Sequence, residues 1–113
     1  MQKVSSKMST INIEVGLDEQ NIPEQIHWTA TDGEPGKHES EAMLLALWNE
    51  KEKTSMRIDL WTKTMTIPEM NIFMFQAMLG MSDTLEKATQ NKVAADEFRR
   101  FAKSFFEKIQ KDS

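Results

Sequence analysis

The sequence predicts an α+β domain: a small, mainly antiparallel three-stranded sheet with helices packed on one face, in the order β-β-α-β-α-α. Three observations predict it. Two stretches in the first third of the chain alternate apolar and polar residues with a period of two. A third stretch, Ser55–Lys63, alternates in the same way. From Thr66 onward apolar residues recur at three- and four-residue spacing, the period of a helix with one buried side.

In chain order, residues 1–8 are expected to be a flexible arm, and residues 9–113 a single domain. Ser9–Leu17 places Ile11, Ile13, Val15 and Leu17 on one face and Thr10, Asn12, Glu14 and Gly16 on the other, so one face is wet. Polar Asp18–Asn21 makes a turn. Gln25–Thr31 alternates again, with Ile26, Trp28 and Ala30 inward, and Pro23 can only stand at the start of that strand. The two strands form a hairpin with a loop longer than two residues. Thr31–His38 (TDGEPGKH) is a loop by composition.

Glu39–Glu50 is expected to be the first helix. Its apolar side is Leu44, Leu45, Leu47 and Trp48, and acidic residues stand at its start, where the helix dipole favours them. As a crossover it would give sheet order 2-1-3, with the third strand antiparallel to the first. Thr66-Ile67-Pro68-Glu69 is a capping box with Pro in the first turn, where its missing N–H costs nothing. The second helix then runs to about Thr89. Its stripe is Met70, Phe73, Met74, Ala77, Met81, Leu85 and Ala88, and Ile72, Phe75 and Leu79 add apolar surface outside that stripe. A helix apolar nearly all round is buried on more than one side or waits for another chain. Gln90–Lys92 breaks it, and Val93–Lys111 is a third helix with the stripe Ala94, Phe98, Phe101, Ala102, Phe105 and Ile109.

Composition narrows the function classes. The net charge of −4 is uneven: residues 9–50 hold nine Asp/Glu and one Lys, whereas residues 51–113 hold eleven Lys/Arg and nine Asp/Glu. An acidic first half argues against general nucleic-acid binding, which needs a basic footprint. There is no Cys, hence no disulfide framework and no thiol chemistry. The first ten residues carry two Lys but no apolar core, so no signal peptide is expected. No apolar run is long enough to span a bilayer. The expected setting is cytoplasmic, without direct membrane insertion.

No catalytic, cofactor-binding or metal site is expected. Two His, His27 and His38, fall short of the three or four converging ligands a metal needs. His38-Glu39-Ser40 lacks the geometry of a nucleophile and base, and no Gly-rich phosphate loop is present. Arg57 and Asp59 stand two apart on one strand face, the spacing of a surface ion pair. Trp61 shares that side: outward, it would be a binding anchor; folded under the following turn, it would be core. Trp28 and Trp48 are expected in the core.

Residues 10–18 (TINIEVGLD), 26–33 (IHWTATDG) and 57–63 (RIDLWTK), with MTIPEM at 65–70, MSDT at 81–84 and ATQ at 88–90, resemble the gliding motility protein GldC family. The likeness runs from about residue 9 to residue 105. It implies an accessory component of the gliding machinery of surface-gliding bacteria. It carries over no catalytic residue. The leading reading is therefore a non-enzymatic protein that acts by contact with protein partners of that machinery. The contact residues would be His27, Arg57, Asp59 and Trp61 on the outer sheet face, or Ile72, Phe75 and Leu79 on the flank of the second helix. That flank could equally form a homodimer. The alternative is a small ligand-binding or enzymatic domain with a pocket between sheet and helices, where His27 and Asp59 would converge.

Overall fold

The computed structural model describes residues 5–111. The fold is α+β, with five strands and two helices among the described residues. The chain divides after Met65 into two compact units. The first holds all the strands and the second both helices. The arm expected over residues 1–8 lies half outside the described residues, and residues 5–8 form neither helix nor strand.

In the first unit β1 (Ile11–Leu17) and β2 (Pro23–Ala30) pair antiparallel, with Ile13 opposite Trp28 and Val15 opposite Ile26. Directly opposite residues share a face, so the apolar sets of both strands lie together. The loop between them is held by Asp18. Its Oδ1 accepts the backbone N–H groups of Gln20 (2.8 Å) and Ile22 (3.0 Å), and Asn21 takes a left-handed φ of 63°. Asn tolerates that conformation better than most residues. Pro23 opens β2, as expected.

The segment Glu39–Glu50 is not a helix. His38–Ser40 forms β3, which pairs with β2, and Ala42–Asn49 forms β4, which pairs with β5 (Thr54–Trp61). The sheet order is therefore β1-β2-β3 with β2 central, and β4-β5 is a separate two-stranded sheet. The expected order 2-1-3 and the single three-stranded sheet are both corrected. The physical reason is a partner. With no crossover helix, β4 itself lies against the strand that was to pair with β1. The apolar run from Ala42 to Trp48 puts apolar side chains on both faces of a strand, which in isolation reads equally well as a helix. Asn49 secures the turn, its Oδ1 accepting the N–H of Glu52 at 2.9 Å, and Lys53 takes φ 53°.

The core of this unit is small. Ile26 is 1% exposed, and burying such a side chain stabilises by about 1.5–3 kcal/mol. With Ile11, Ile13, Trp28, Ser40 and Met43 it lines an apolar hollow of about 180 Å³. Trp28 Nε1 donates to Ser40 Oγ at 3.0 Å, and the Trp28 ring lies 4.5 Å from that of His38.

The second unit is a helical hairpin of α1 (Ile67–Thr89) and α2 (Lys92–Lys111). The capping box forms as the sequence predicts: Thr66 Oγ1 accepts the Glu69 N–H at 3.2 Å, and Glu69 Oε1 accepts the Thr66 N–H at 3.0 Å. Gln90 ends α1 in the left-handed conformation, φ 61°. Ser82, Ala95 and Ala102 are fully buried, small residues of the kind that let helices approach closely. Phe75 stacks on Phe106 with ring centroids 4.4 Å apart. Arg99 ties the helices together, reaching Asp83 and Glu86 on α1 at 2.8 Å and Asp96 on its own helix at 2.7 Å. Those hydrogen bonds, Asp83 foremost, hold its guanidinium pKa above the ordinary arginine value.

Candidate functional site

The residues singled out from the sequence fall in three places. His27 stands on the polar face of β2, opposite Glu14 on β1 and Glu39 on β3. Lys37 pairs with Glu14 at 3.4 Å on that face. Arg57, Asp59 and Trp61 stand together on β5, in the other sheet. The continuous outer face expected to join His27 to them is thus split between two sheets. The apolar hollow beside Ile26 is lined by neither His27 nor Asp59.

On β5 the Arg57 guanidinium forms a fork with the Asp59 carboxylate: Nε donates to Oδ2 at 2.9 Å and Nη2 to Oδ1 at 3.0 Å. This contact holds the Arg57 pKa above its ordinary value. Trp61 is 57% exposed, so the outward orientation holds and the ring is not folded under the turn. The pairing of β4 with β5 adds a residue that the sequence reading missed. Ala42, Leu44, Ala46 and Trp48 lie opposite Trp61, Asp59, Arg57 and Ser55, all on one face. Trp48, expected in the core, is 62% exposed there. Its Nε1 donates to Glu50 at 3.3 Å. One face of this hairpin therefore carries an exposed indole toward each end and a forked Arg–Asp pair between them. Only the strand register reveals this, because a helical reading turns Trp48 inward.

The end of β5 is firmly placed. Thr62 is buried, and its Oγ1 donates to Glu41 Oε2 at 2.6 Å; Thr64 Oγ1 donates to the same oxygen at 2.7 Å. These bonds, Thr62 first, keep the Glu41 carboxyl below the usual carboxylate range. Lys63 donates its backbone N–H to Pro23 O at 3.2 Å, and its Nζ pairs with Asp18 at 2.9 Å and Glu24 at 3.4 Å. The Asp18 pKa is lowered, chiefly by the Ile22 N–H and then by Lys63. Trp61 thus projects from a strand whose exit is pinned to both sheets of the unit.

On the helical hairpin, the side of α1 that carries Ile72, Phe75 and Leu79 also carries Ser82 and Glu86, and it is the side that meets α2. Phe75 and Leu79 are half-buried there, and Ile72 at 44% exposure is the most open of the three. Within the stripe read as inward, Met70, Phe73, Ala77 and Leu85 are half-buried, whereas Met74 and Met81, seven apart, are 39% and 54% exposed. Among the described residues no three His, Cys, Asp or Glu gather as a metal site, and no helix is long and apolar enough to cross a membrane.

The family described as gliding motility-associated protein GldC-like matches residues 23–111. That span covers the β4–β5 face and both helices. No significant match to a curated protein or to a solved structure was found.

Proposed function

The chain belongs to the GldC-like family of gliding motility-associated proteins, and from that membership we propose that it is a non-enzymatic accessory protein of gliding that works by contact with another protein. The observation that carries the contact role is the β4–β5 face: exposed Trp48 and Trp61 with Arg57 and Asp59 between them. Trp and Arg are the residues that most often dominate binding energy at protein interfaces. Two large indoles held in water at 62% and 57% exposure leave apolar surface that a partner would cover. The partner we envisage is a protein of the gliding machinery, met in the cytoplasm.

The test is complementation. In a gliding bacterium lacking this chain, the wild-type sequence should restore colony spreading, and the variant Trp48→Ala/Trp61→Ala should not. The variant protein should keep its helical circular dichroism and its level in the cell, because exposed side chains away from structural features change stability by only about 0.5 kcal/mol each. Full spreading with the variant would remove this face from the role. Normal spreading without the chain would remove the process itself.

A further inference from the structure

We infer that the free edge of β5 pairs antiparallel with the β5 of a second copy, making a continuous four-stranded sheet β4-β5-β5-β4 across a two-fold axis at Ile58. Backbone direction comes first. The N–H of Thr62 donates to Glu41 O across the β4–β5 pair. Antiparallel pairs alternate, so Leu60, Ile58 and Met56 also turn their N–H and C=O toward β4. Trp61, Asp59, Arg57 and Ser55 turn theirs the other way. That edge carries no strand among the described residues, because the sheet is only β4-β5. The N–H of Lys63, on the same side, goes to Pro23, beyond the end of the strand. Residues Thr54–Asp59 are all exposed.

The side chains then select the occupant. Read against itself in antiparallel register about Ile58, β5 sets Arg57 opposite Asp59 of the partner subunit and Asp59 opposite the partner's Arg57. Met56 falls opposite the partner's Leu60, and Ile58 meets its own copy. Opposite charges directly across a ladder are favourable and like charges are not. The residues on the odd face are the ones whose backbone groups point outward, so the register satisfies hydrogen bonding and charge at once. A two-stranded hairpin alone is marginal in water. Its other face is apolar up to the tip, with Met43, Leu45 and Leu47 opposite Leu60, Ile58 and Met56, and Asn49 opposite Thr54 at the turn. Toward the tip Leu47, Met56 and Ile58 are 57%, 63% and 47% exposed. Edge pairing would join two such ladders into one apolar surface. The in-strand Arg57–Asp59 fork protects the lone edge with charge, and in the dimer the same two groups re-pair across the axis. This inference does not depend on the gliding partner, since it concerns the edge of β5 and the partner contact concerns its face.

The experiment is sedimentation equilibrium of the full chain, with charge swaps. The wild type should show twice the 13.1 kDa of one chain at concentrations up to about 100 µM. Arg57→Asp alone and Asp59→Arg alone each place like charges opposite one another twice, and each should weaken the dimer by roughly tenfold or more. The double swap Arg57→Asp/Asp59→Arg restores both the fork and the cross-strand pairs, and should recover the wild-type dimer. Amide exchange gives a second reading that needs no variant. The N–H groups of Arg57, Asp59 and Trp61 should gain protection as concentration rises. A wild type that stays at the monomer mass overturns the proposal, as does a single swap that dimerises like the wild type or a double swap that stays weak. Concentration-independent exchange at those three amides overturns it as well.

Discussion

Ile26 offers the clearest stability prediction. It sits on the central strand β2 at 1% exposure, with Val15 opposite it on β1 and Ser40 opposite it on β3. Ile26→Ala removes three carbons, which at ~0.8 kcal/mol each is ~2.4 kcal/mol of lost transfer energy. The space left behind adds to this. Ile26 already borders a hollow of about 180 Å³, so no side chain on that flank can close the gap, and the total should reach about 4 kcal/mol. Ile26→Val removes one carbon and should cost about 1 kcal/mol. Ile11, on the same face of the sheet but 72% exposed, is the control: Ile11→Ala should cost under ~0.5 kcal/mol. The assay is urea unfolding followed by tryptophan fluorescence. All three Trp precede Met65, so the signal reports on the β unit alone. An Ile26→Ala cost under about 1 kcal/mol, or an Ile11→Ala cost equal to it, would refute the placement of the core at this strand.

Three further outcomes are expected. Thr66→Ala removes the side chain that caps α1, and should lower the stability of the helical unit by about 1 kcal/mol in melts followed by circular dichroism. Asp18 has a folded pKa below its ordinary value, so the stability it contributes is present above the unfolded carboxylate pKa and is lost as pH falls through the folded one. Asp18→Asn should therefore reduce stability at neutral pH and flatten its decline on acidification, read by tryptophan fluorescence across an acid titration. Arg99 bridges α1 and α2 through exposed carboxylates, so Arg99→Gln should lower the melting temperature of the hairpin and weaken its dependence on salt.

The parts of this fold that were legible in the sequence are those whose signal is local. Ile11–Leu17 and the run from Ile26 to Ala30 alternate cleanly because one face is wet. The box Thr66–Glu69 and the break at Gln90 each satisfy backbone groups with nearby atoms, so they can be read without tertiary knowledge. The segment from His38 to Asn49 failed for the opposite reason. Ala, Leu and Met favour helices in isolation, and β4 has apolar side chains on both faces, which removes the alternation that marks a strand. Its structure is dictated by β5, whose register no local pattern reveals. The same error hid half of the candidate site, because Trp48 becomes a neighbour of Arg57 only when β4 is a strand. In α1 the apolar excess was visible, but not which stripe would meet α2. The Phe75–Phe106 stack and the Arg99 bridges decide that, and both are long-range contacts.

The proposed contact is between the Trp48–Trp61 face and another protein in gliding cells. Photocrosslinking answers it most directly, with a photoreactive residue placed at position 61 in the living bacterium and, as control, at exposed Glu97 on α2. A discrete crosslinked protein is expected from position 61, lost when Trp48 is replaced by Ala, and none from position 97. Equal or absent crosslinking at the two positions, in cells that glide normally, would contradict it.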